Sequence, residues 1–342
     1  MGPYVPERVV DNEEIQFLND QHERCDEQQT DTNHDWIKTR TGIEERRYVD
    51  NTKAVGTSDL ALEASQAALA DAGLKAADID CIILATLSPD MHFPGTAVFL
   101  QSKLGIDGEG GCACFDIRQQ CSGFVYGLQM AKAFVETGVY KNVLLVGAEV
   151  HSHSLDYTTR GRDVMVLFGD GAGAVVVGAS DEGESDILYT HCAADGSGAM
   201  DLYLRVFDIS RRPYVFFDAN KDDHAENMYP QMNGKKVFLN AVRAMVMATN
   251  RALEKTGLGW DDIDWFVPHQ ANLRINEAVV TYAEIPPEKA LNSIQHYGNT
   301  TAATVPLTID HHRKLGTVKR GDLVLSTFFG AGFTWGAAVF RI

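Results

Sequence analysis

One short sequence pattern occurs twice, and it constrains the fold of this chain more than any other feature. Gly73-Leu-Lys-Ala-Ala-Asp78-Ile-Asp80 matches Gly257-Leu-Gly-Trp-Asp-Asp262-Ile-Asp264 at a constant offset of 184 residues. Each copy follows a long helix-forming segment and precedes an apolar, strand-forming one. Because the order of elements is kept together with residue type, the pattern indicates a duplicated α/β unit. Strands that alternate with helices predict a layered architecture.

The two copies are predicted to join in a polar, acidic segment from Ser180 to Ser185. We therefore expect an N-terminal half over residues 1–180 and a C-terminal half over residues 181–342, which suits a chain of this length. The N-terminal half is predicted to contain, in order, a helix from Ser58 to Ala72, a strand from Asp80 to Thr86, a helix over 96–104, a strand from Lys141 to Glu149, and a strand pair over Met165–Phe168 and Ala172–Val177.

Composition and charge narrow the possible classes of protein. The net charge of −17 argues against nucleic acid or an anionic membrane as the main partner, although an acidic protein could dock on a local basic patch. The six cysteines lack a zinc or disulfide spacing, which indicates a reducing compartment. The sequence has no apolar run of about 18 residues and no signal pattern at its N-terminus, so we expect a cytoplasmic protein.

A cysteine stands at the start of a nearly all-apolar segment, Cys121 to Val135, which follows the strand-forming run from Gly110 to Ile117. Such a segment predicts a helix buried on most of its faces. The partial positive charge of a helix N-terminus favours thiolate over thiol, so Cys121 is a candidate activated nucleophile. Taken alone, a buried cysteine is more often a small apolar side chain of the core.

Three segments of the C-terminal half carry further candidates. His269 lies in Val267-Pro-His-Gln-Ala-Asn-Leu-Arg-Ile275, where a strand is predicted to end and α/β proteins gather their sites. Asn299 lies in Tyr297-Gly-Asn-Thr-Thr-Ala302, where it could equally cap a helix. The glycines of Phe329-Gly-Ala-Gly-Phe-Thr-Trp-Gly336 allow backbone N–H groups to face a ligand. Each segment alone is a weak signal.

Two other patterns have bland interpretations. Gly169-Asp-Gly-Ala-Gly173 is not a phosphate loop, because a valine-rich strand follows it instead of Lys and a helix. The pairs His151/His153 and His311/His312 lack the nearby carboxylate or cysteine spacing of a metal site, so we expect no bound metal.

Together these segments resemble β-ketoacyl-acyl-carrier-protein synthase III, a family of the thiolase superfamily. The resemblance covers essentially the whole chain. It rests on motifs in family order: WIKTRTGIEERR, DIRQQCSGF, FGDGAGA, VPHQANLRI, HYGNTTAAT and FGAGFTWGAA. It implies an α/β thiolase fold of two duplicated halves packed as an αβαβα sandwich. The implied reaction is decarboxylative condensation of an acyl-CoA with malonyl-acyl-carrier protein through an acyl-cysteine, without a cofactor.

The resemblance also implies roles for individual residues. Cys121, His269 and Asn299 would form the catalytic triad, and the N–H groups of Cys121 and Gly332 would form the oxyanion hole. The remaining implied roles concern substrates and partners: Trp36 and Arg162 would enclose the adenine of coenzyme A, with Arg160 as a rival; Arg40, Asn272 and Arg274 would bind substrate or the acidic carrier protein; and Phe93 would reach the acyl tunnel of the other subunit of a homodimer.

The chain departs from the family pattern in ways that leave the acyl donor open. It starts near the expected end of the first strand, and Arg118-Gln-Gln precedes the cysteine where small residues are expected. The stretch from Gly196 to Lys235 is longer than usual and carries aromatics such as Tyr203, Phe207, Tyr214, Phe216 and Phe217, so it is either a wall of the acyl site or a surface excursion.

Several alternatives can be weighed on the same motifs. A degradative thiolase would need a second cysteine in residues 329–336, and a hydroxymethylglutaryl synthase would need a glutamate near Cys121; the sequence has neither. A plant-type polyketide synthase would lack the WIKTRTGI and HQANLRI blocks, which are present here. A non-catalytic acyl-binding protein would not require an intact triad. Transfer of acyl groups to oxygen or nitrogen, or the joining of two fatty acyl thioesters, is the main alternative within the family.

Overall fold

Two mixed β-sheets, one in each half of the sequence, form the centre of the structure. The structure is a computed structural model that describes residues 1–19, 21–106, 108, 111–180, 185–206, 208, 210 and 228–342. The predicted join from Ser180 to Ser185 lies partly outside these residues, and the aromatics Phe207, Tyr214, Phe216 and Phe217 of the long stretch lie wholly outside them.

The N-terminal sheet has the strand order β1-β7-β6-β4-β5. Its interior strand β4, Cys-Ile-Ile-Leu-Ala, is buried throughout and runs parallel to both β5 and β6. Such a run suits a strand covered on both faces. Strand β7 lies between β6 and the edge strand β1 and is antiparallel to both. The strands of this sheet are β1 Gly2–Tyr4, β4 Cys81–Ala85, β5 Ala113–Ile117, β6 Asn142–Glu149 and β7 Gly171–Gly178, and a separate pair is formed by β2 Arg8–Asp11 and β3 Glu45–Tyr48.

The C-terminal sheet repeats this topology in the order β11-β12-β13-β8. Strand β11 is parallel to β12, and β13 is antiparallel to both β12 and β8. These relations match those of β4, β6, β7 and β1, so the duplication predicted from the repeat is confirmed in the fold. The strands are β8 Ile187–Ala194, β11 Trp265–Phe266, β12 Leu323–Gly330 and β13 Thr334–Arg341, and the legs of the long stretch pair as β9 Leu202–Tyr203 and β10 Gln231–Met232.

Helices lie between the sheets and on their outer faces. One apolar cluster joins α4 and α9 to strands of both sheets, and separate clusters place α2 and α3 on the first sheet and α6 and α7 on the second. The result is the αβαβα sandwich. The helices are α1 His34–Thr41, α2 Thr57–Ala72, α3 Thr96–Lys103, α4 Gly123–Glu136, α5 Arg162–Met165, α6 Gly234–Thr256, α7 Leu273–Tyr282, α8 Ile294–Tyr297 and α9 Thr304–Lys314.

Both copies of the repeat pattern begin at the same structural point. Gly73 ends α2 with a φ of 67°, and Gly257 ends α6 with a φ of 70°. This left-handed conformation favours glycine, which has no Cβ to clash. The repeated glycine is therefore the common helix stop before the first strand of each sheet.

Three predicted boundaries need correction. Helix α2 begins before Ser58, because the Gly56 N–H is bound by the Asp59 carboxylate and the helix starts at Thr57. The predicted strand at Met165–Phe168 is wrong: α5 ends at Met165, and Phe168 makes a single bridge to Asn299. The helix predicted to start at Cys121 starts two residues later. The predicted helix over 96–104 and the strand to Glu149 are confirmed as α3 and β6.

None of the helices among the described residues is long and apolar enough to cross a membrane.

Candidate active site

Cys121 lies between the end of β5 and the start of α4, in a 3-10 turn over Gln120–Ser122. Its side chain is buried, with 6% of the residue exposed. Gly330, the last residue of β12, packs against it: a Cβ on Gly330 would lie 3.0 Å from the Cys121 nitrogen and 3.2 Å from its Cβ. A side chain there would displace the nucleophile's backbone, so the close approach of the two halves requires glycine.

His269 follows β11 and is fully buried. Its backbone N–H donates to the Thr327 carbonyl at 2.9 Å, which extends the pairing with β12. Its ring Nδ1 lies 2.7 Å from Thr304 Oγ1, whereas Nε2 has no hydrogen-bond partner in the part of the chain that the structure describes. Burial lowers the pKa of His269 to about 3, so the ring is neutral near pH 7.

The Thr304 hydroxyl decides which ring nitrogen carries the proton. It lies 2.9 Å from the Thr301 carbonyl and 2.7 Å from His269 Nδ1, so its single proton goes to one of two acceptors. When the proton goes to the Thr301 carbonyl, the hydroxyl oxygen accepts from Nδ1–H and Nε2 carries no proton. When it goes to Nδ1, the neutral ring has its own proton on Nε2, which makes the unpartnered nitrogen a donor.

Three hydrogen bonds, two of the backbone and one of the side chain, hold Asn299 in place. Its backbone N–H donates to the Leu167 carbonyl at 2.8 Å, and its carbonyl accepts from Gly169 at 3.1 Å. Its side-chain Oδ1 accepts the Thr301 N–H at 2.8 Å. With Oδ1 engaged, the amide NH₂ is the end available to other groups, and the side chain interacts with the Cys121 thiol.

Burial raises the pKa of the Cys121 thiol to about 12, and the nearby Glu149 carboxylate acts in the same direction. The Asn299 side chain and the backbone N–H of Cys121 oppose this rise without cancelling it. The expectation that Cys121 rests as a thiolate is therefore wrong. The helix begins only at Gly123, and exclusion of water outweighs the field of its N-terminus.

The three side chains line one cavity of about 500 Å³. Cys121, His269, Asn299, Trp36, Arg40, Asn272 and Arg274 all lie on its wall, as do apolar residues that sequence analysis did not single out, among them Leu202, Met232, Phe238, Met245 and Phe329. Leu202 and Met232 belong to the legs of the long stretch, so that stretch borders the cavity.

The basic end of the cavity contains Trp36, with the guanidinium groups of Arg40 and Arg162 at 4.5 and 4.7 Å from its ring. Arg162 touches Trp36 directly, so it must move before a base can lie between them. The rival Arg160 pairs with Asp156 at 2.5 Å. Asn272 caps α7 and donates to the Arg40 carbonyl at 3.0 Å, which ties this end to the loop that carries His269.

Three predicted residues, Phe93, Arg162 and Gly332, are not among the described residues that line the cavity. Phe93 is 80% exposed on the surface. The three described atoms nearest to a Cβ built on Gly332 belong to Thr334, whereas those nearest to a Cβ built on Gly330 include two of Cys121. Sequence reasoning missed Gly330, Thr301, Thr304 and Glu149. Gly330 stands in the glycine motif and the two threonines stand in HYGNTTAAT, but no sequence signal marks their contacts with the site, and none marks Glu149.

Among the described residues, no group of three or more His, Cys, Asp or Glu side chains is arranged to hold a metal ion.

The duplicated sandwich, with a buried Cys–His–Asn cluster at the meeting of its halves, defines a thiolase-fold enzyme. The family model described as 3-oxoacyl-[acyl-carrier-protein (ACP)] synthase III matches residues 115–196, and the model of its C-terminal part matches residues 253–342.

Full-length relatives specify the family. The β-ketoacyl-[acyl-carrier-protein] synthase III of Caldanaerobacter subterraneus subsp. tengcongensis is 44% identical over 99% of this chain and 96% of its own length. The solved 3-oxoacyl-[acyl-carrier-protein] synthase III from Aquifex aeolicus is 39% identical with a TM-score of 0.85, covering 100% of this chain and 98% of that one. The priming β-ketosynthase of the R1128 polyketide pathway is 32% identical with a TM-score of 0.86, covering 100% and 94%. The chain belongs to the β-ketoacyl-acyl-carrier-protein synthase III family and is an acyl-transferring condensing enzyme.

Proposed function

We propose that the chain joins the acyl group of an acyl-CoA to malonyl-acyl-carrier protein, with loss of CO₂, through a thioester on Cys121. The observation that carries the proposal is the convergence of a buried thiol, a neutral imidazole with an unpartnered Nε2 and the Asn299 amide on one cavity. Division of one difficult step into two easier ones is the advantage of a covalent intermediate.

In the first step, Cys121 Sγ attacks the thioester carbonyl of the acyl-CoA. The bond from the acyl carbon to the coenzyme A sulfur breaks, and the thiol proton ends on the departing sulfur. Because the pKa of the thiol is raised to about 12, the proton leaves during the attack rather than before it. The N–H groups of Cys121 and Gly332 are proposed as the oxyanion hole, where one donor is typically worth about 3 kcal/mol.

In the second step, the malonyl group loses CO₂ and leaves an enolate. His269 Nε2 and Asn299 Nδ2 would donate to the thioester oxygen on which that negative charge develops. The carbanion then attacks the carbonyl of acyl-Cys121, the carbon–sulfur bond breaks, and Cys121 regains a proton. Neutral donors suit this step, because they stabilise the developing charge without holding the carboxylate of the malonyl group by an ion pair. The proposed chemistry needs no cofactor.

The basic end of the cavity is proposed to receive coenzyme A and the carrier protein. Trp36 and Arg162 would enclose the adenine after Arg162 separates from the ring, and Arg40, Asn272 and Arg274 would bind phosphate oxygens or acidic carrier side chains. We further propose a homodimer in which Phe93 reaches the other subunit's acyl tunnel, a cytoplasmic location, and a division of the halves at residues 180 and 181.

Intact-protein mass measurement with a panel of acyl-CoAs tests the proposal. We expect one acyl group per chain, and its conversion to a β-ketoacyl thioester when malonyl-acyl-carrier protein is added. An acylated protein that transfers its acyl group to an alcohol or amine, or to a second fatty acyl thioester, and not to the malonyl carrier would replace this function with the alternative.

A further inference from the structure

A buried carboxylate with no role in the steps above ends strand β6. Glu149 has no exposed surface. Both of its oxygens accept hydrogen bonds from groups at the end of β4 and from the turn after Asn299; the donors are Thr86 Oγ1, the Leu87 N–H, the Ser88 N–H, Ser88 Oγ and Thr301 Oγ1. Five donors on one buried acid form a rigid connection rather than a casual contact.

One bond of this set connects Glu149 to the catalytic amide. Thr301 Oγ1 donates to Glu149 Oε1 at 2.5 Å, and the backbone N–H of Thr301 donates to Asn299 Oδ1 at 2.8 Å. Thr301 has a φ of 46°, a left-handed conformation that a β-branched residue adopts only when its surroundings impose it. The bond to Glu149 is a contact that holds Thr301 in this conformation.

The direction of the Asn299 amide depends on this turn. An asparagine side chain can present either its oxygen or its NH₂ group to a ligand. The Thr301 N–H holds Oδ1, so the NH₂ group is left for the cavity. A turn that relaxed toward an ordinary φ would move this N–H and free the amide to rotate.

The other oxygen fixes Glu149 itself. Oε2 accepts from Ser88 Oγ at 2.7 Å and from the Ser88 N–H at 3.1 Å. Ser88 follows β4, an interior strand of the N-terminal sheet whose five residues are all buried. The carboxylate therefore ties the turn that positions Asn299, in the C-terminal half, to the most buried strand of the N-terminal half.

The charge of Glu149 does not favour the nucleophile. It raises the pKa of Cys121, and the other ionisable group facing it among the described residues is His151, whose Nε2 lies 3.8 Å away. Burial lowers the pKa of His151 to about 4, so that ring is neutral near pH 7. Burial raises the pKa of Glu149 itself to about 7, so near neutral pH the carboxyl group is ionised in only part of the molecules. Where it is ionised, its charge hinders thiolate formation, which leaves the geometry at Thr301 as the part of its action that assists the reaction.

We propose that Glu149 is a positioning residue for the decarboxylation half of the reaction, which acts through Thr301 to present the NH₂ group of Asn299 to the malonyl thioester. This inference rests on the proposed function, and it assigns a role that the acylation step does not share.

Glu149→Gln is the most direct test. Glutamine has nearly the same volume, but only one of its two terminal atoms can accept. The oxygen would take the place facing the Ser88 and Leu87 donors, so an NH₂ group would face Thr301 Oγ1 and the bond that holds Thr301 would be lost or reversed. We expect the rate of condensation with malonyl-acyl-carrier protein to fall about 10- to 100-fold, the scale of a small misplacement of a catalytic group. Self-acylation should stay within about threefold or rise, because a charge that hinders the thiolate is removed.

Thr301→Val and Thr301→Ser form a matched pair that tests the same Thr301–Glu149 hydrogen bond at the threonine. Valine keeps the shape and loses the hydroxyl, and serine keeps the hydroxyl. We expect Thr301→Val to reproduce the selective loss of condensation and Thr301→Ser to restore most of it. Thermal unfolding of each variant shows whether the fold is intact. If Glu149→Gln does not fold, the two Thr301 variants test the proposed role of Glu149 in its place.

Two results would overturn the inference: unchanged condensation in folded Glu149→Gln and Thr301→Val, or equal losses in both half-reactions. Asn299→Ala, measured alongside, separates the two proposals. If the native protein is acylated but forms no β-ketoacyl product with malonyl-acyl-carrier protein, the proposed function fails, and if Asn299→Ala leaves condensation intact, the proposed role of Asn299 fails. If Asn299→Ala abolishes condensation while Glu149→Gln and Thr301→Val do not reduce it, the inference about Glu149 alone fails.

Discussion

The two halves of the molecule use the same local structure for different chemistry. In each half a 3-10 turn leads into a helix between the sheets: Gln120–Ser122 leads into α4, and Thr301–Ala303 leads into α9. The first residue of each turn is left-handed, with a φ of 47° at Gln120 and 46° at Thr301. The second residue is Cys121, the proposed nucleophile, in one half and Ala302 in the other.

The difference between these turns shows how a duplicated scaffold divides a reaction. Ala302 is small because the turns approach closely: a Cβ on Gly123 would lie 3.3 Å from its Cβ, and one on Gly147 would lie 2.6 Å from its carbonyl carbon. With the second position filled by packing, the functional group of the C-terminal half stands before the turn, at Asn299. In the proposed mechanism, one half supplies the cysteine that carries the acyl group and the other supplies neutral hydrogen-bond donors.

Cys121→Ala should have the largest effect, because it removes the thiol that is proposed to hold the acyl group. We expect complete loss of the acyl adduct that acyl-CoA forms on the native protein, measured by intact mass. Peptide mapping of the native adduct is the control. An adduct that persists in the variant, or that maps to Cys112 or Cys114, would contradict the assignment.

Thr304→Val should have a smaller effect, on the hydrogen bond that His269 is proposed to donate to the enolate. The hydroxyl that holds the His269 Nδ1 is lost, so the ring is free to place its proton on either nitrogen. We expect condensation to fall about tenfold, within the range of effects on a hydrogen-bond donor to a developing charge. Thr304→Ser retains the hydroxyl and is the matched control. Equal condensation rates in both variants would remove Thr304 from the account.

The pH dependence of Cys121 alkylation tests whether this residue is a thiol or a thiolate before substrate binds. Because its pKa is raised to about 12, the thiolate fraction should grow about tenfold per pH unit between pH 7 and pH 10. We expect the iodoacetamide rate at Cys121 to rise throughout this range, followed by peptide mass. The unfolded protein should level off near pH 9, as an ordinary thiol does. A plateau below pH 8 in the folded protein would instead mean an activated thiolate.

The smallest expected change concerns specificity. Leu202 and Met232, the described legs of the long stretch, line the cavity, so removal of residues 205–225 should alter the acyl-chain preference rather than abolish activity. Burial of each methylene is worth about 0.8 kcal/mol, so the preference should be steep where the site ends. Initial acylation rates from acetyl to decanoyl donors measure it. An unchanged profile in a folded, trimmed protein would make the stretch a surface feature.

Much of this comparison could be predicted from sequence, since the repeat, buried strands such as β4 and the cysteine segment depend on local periodicity. The repeated glycines Gly73 and Gly257 indicate the duplication because their conformation is local as well. Thr301, Thr304 and Glu149 could not be predicted, because their roles depend on partners far apart in the chain. The thiolate expectation failed for a similar reason: the field of a helix end is a local property, whereas burial of Cys121 depends on both halves.

The division of labour between the halves is tested most directly by comparing both half-reactions of Asn299→Ala in single turnover. Self-acylation by acyl-CoA and condensation of the acylated protein with malonyl-acyl-carrier protein are measured separately. The division predicts that condensation falls by about 100-fold or more while self-acylation falls by less than about tenfold, because the amide acts on the enolate. Equal losses in the two steps would contradict the division.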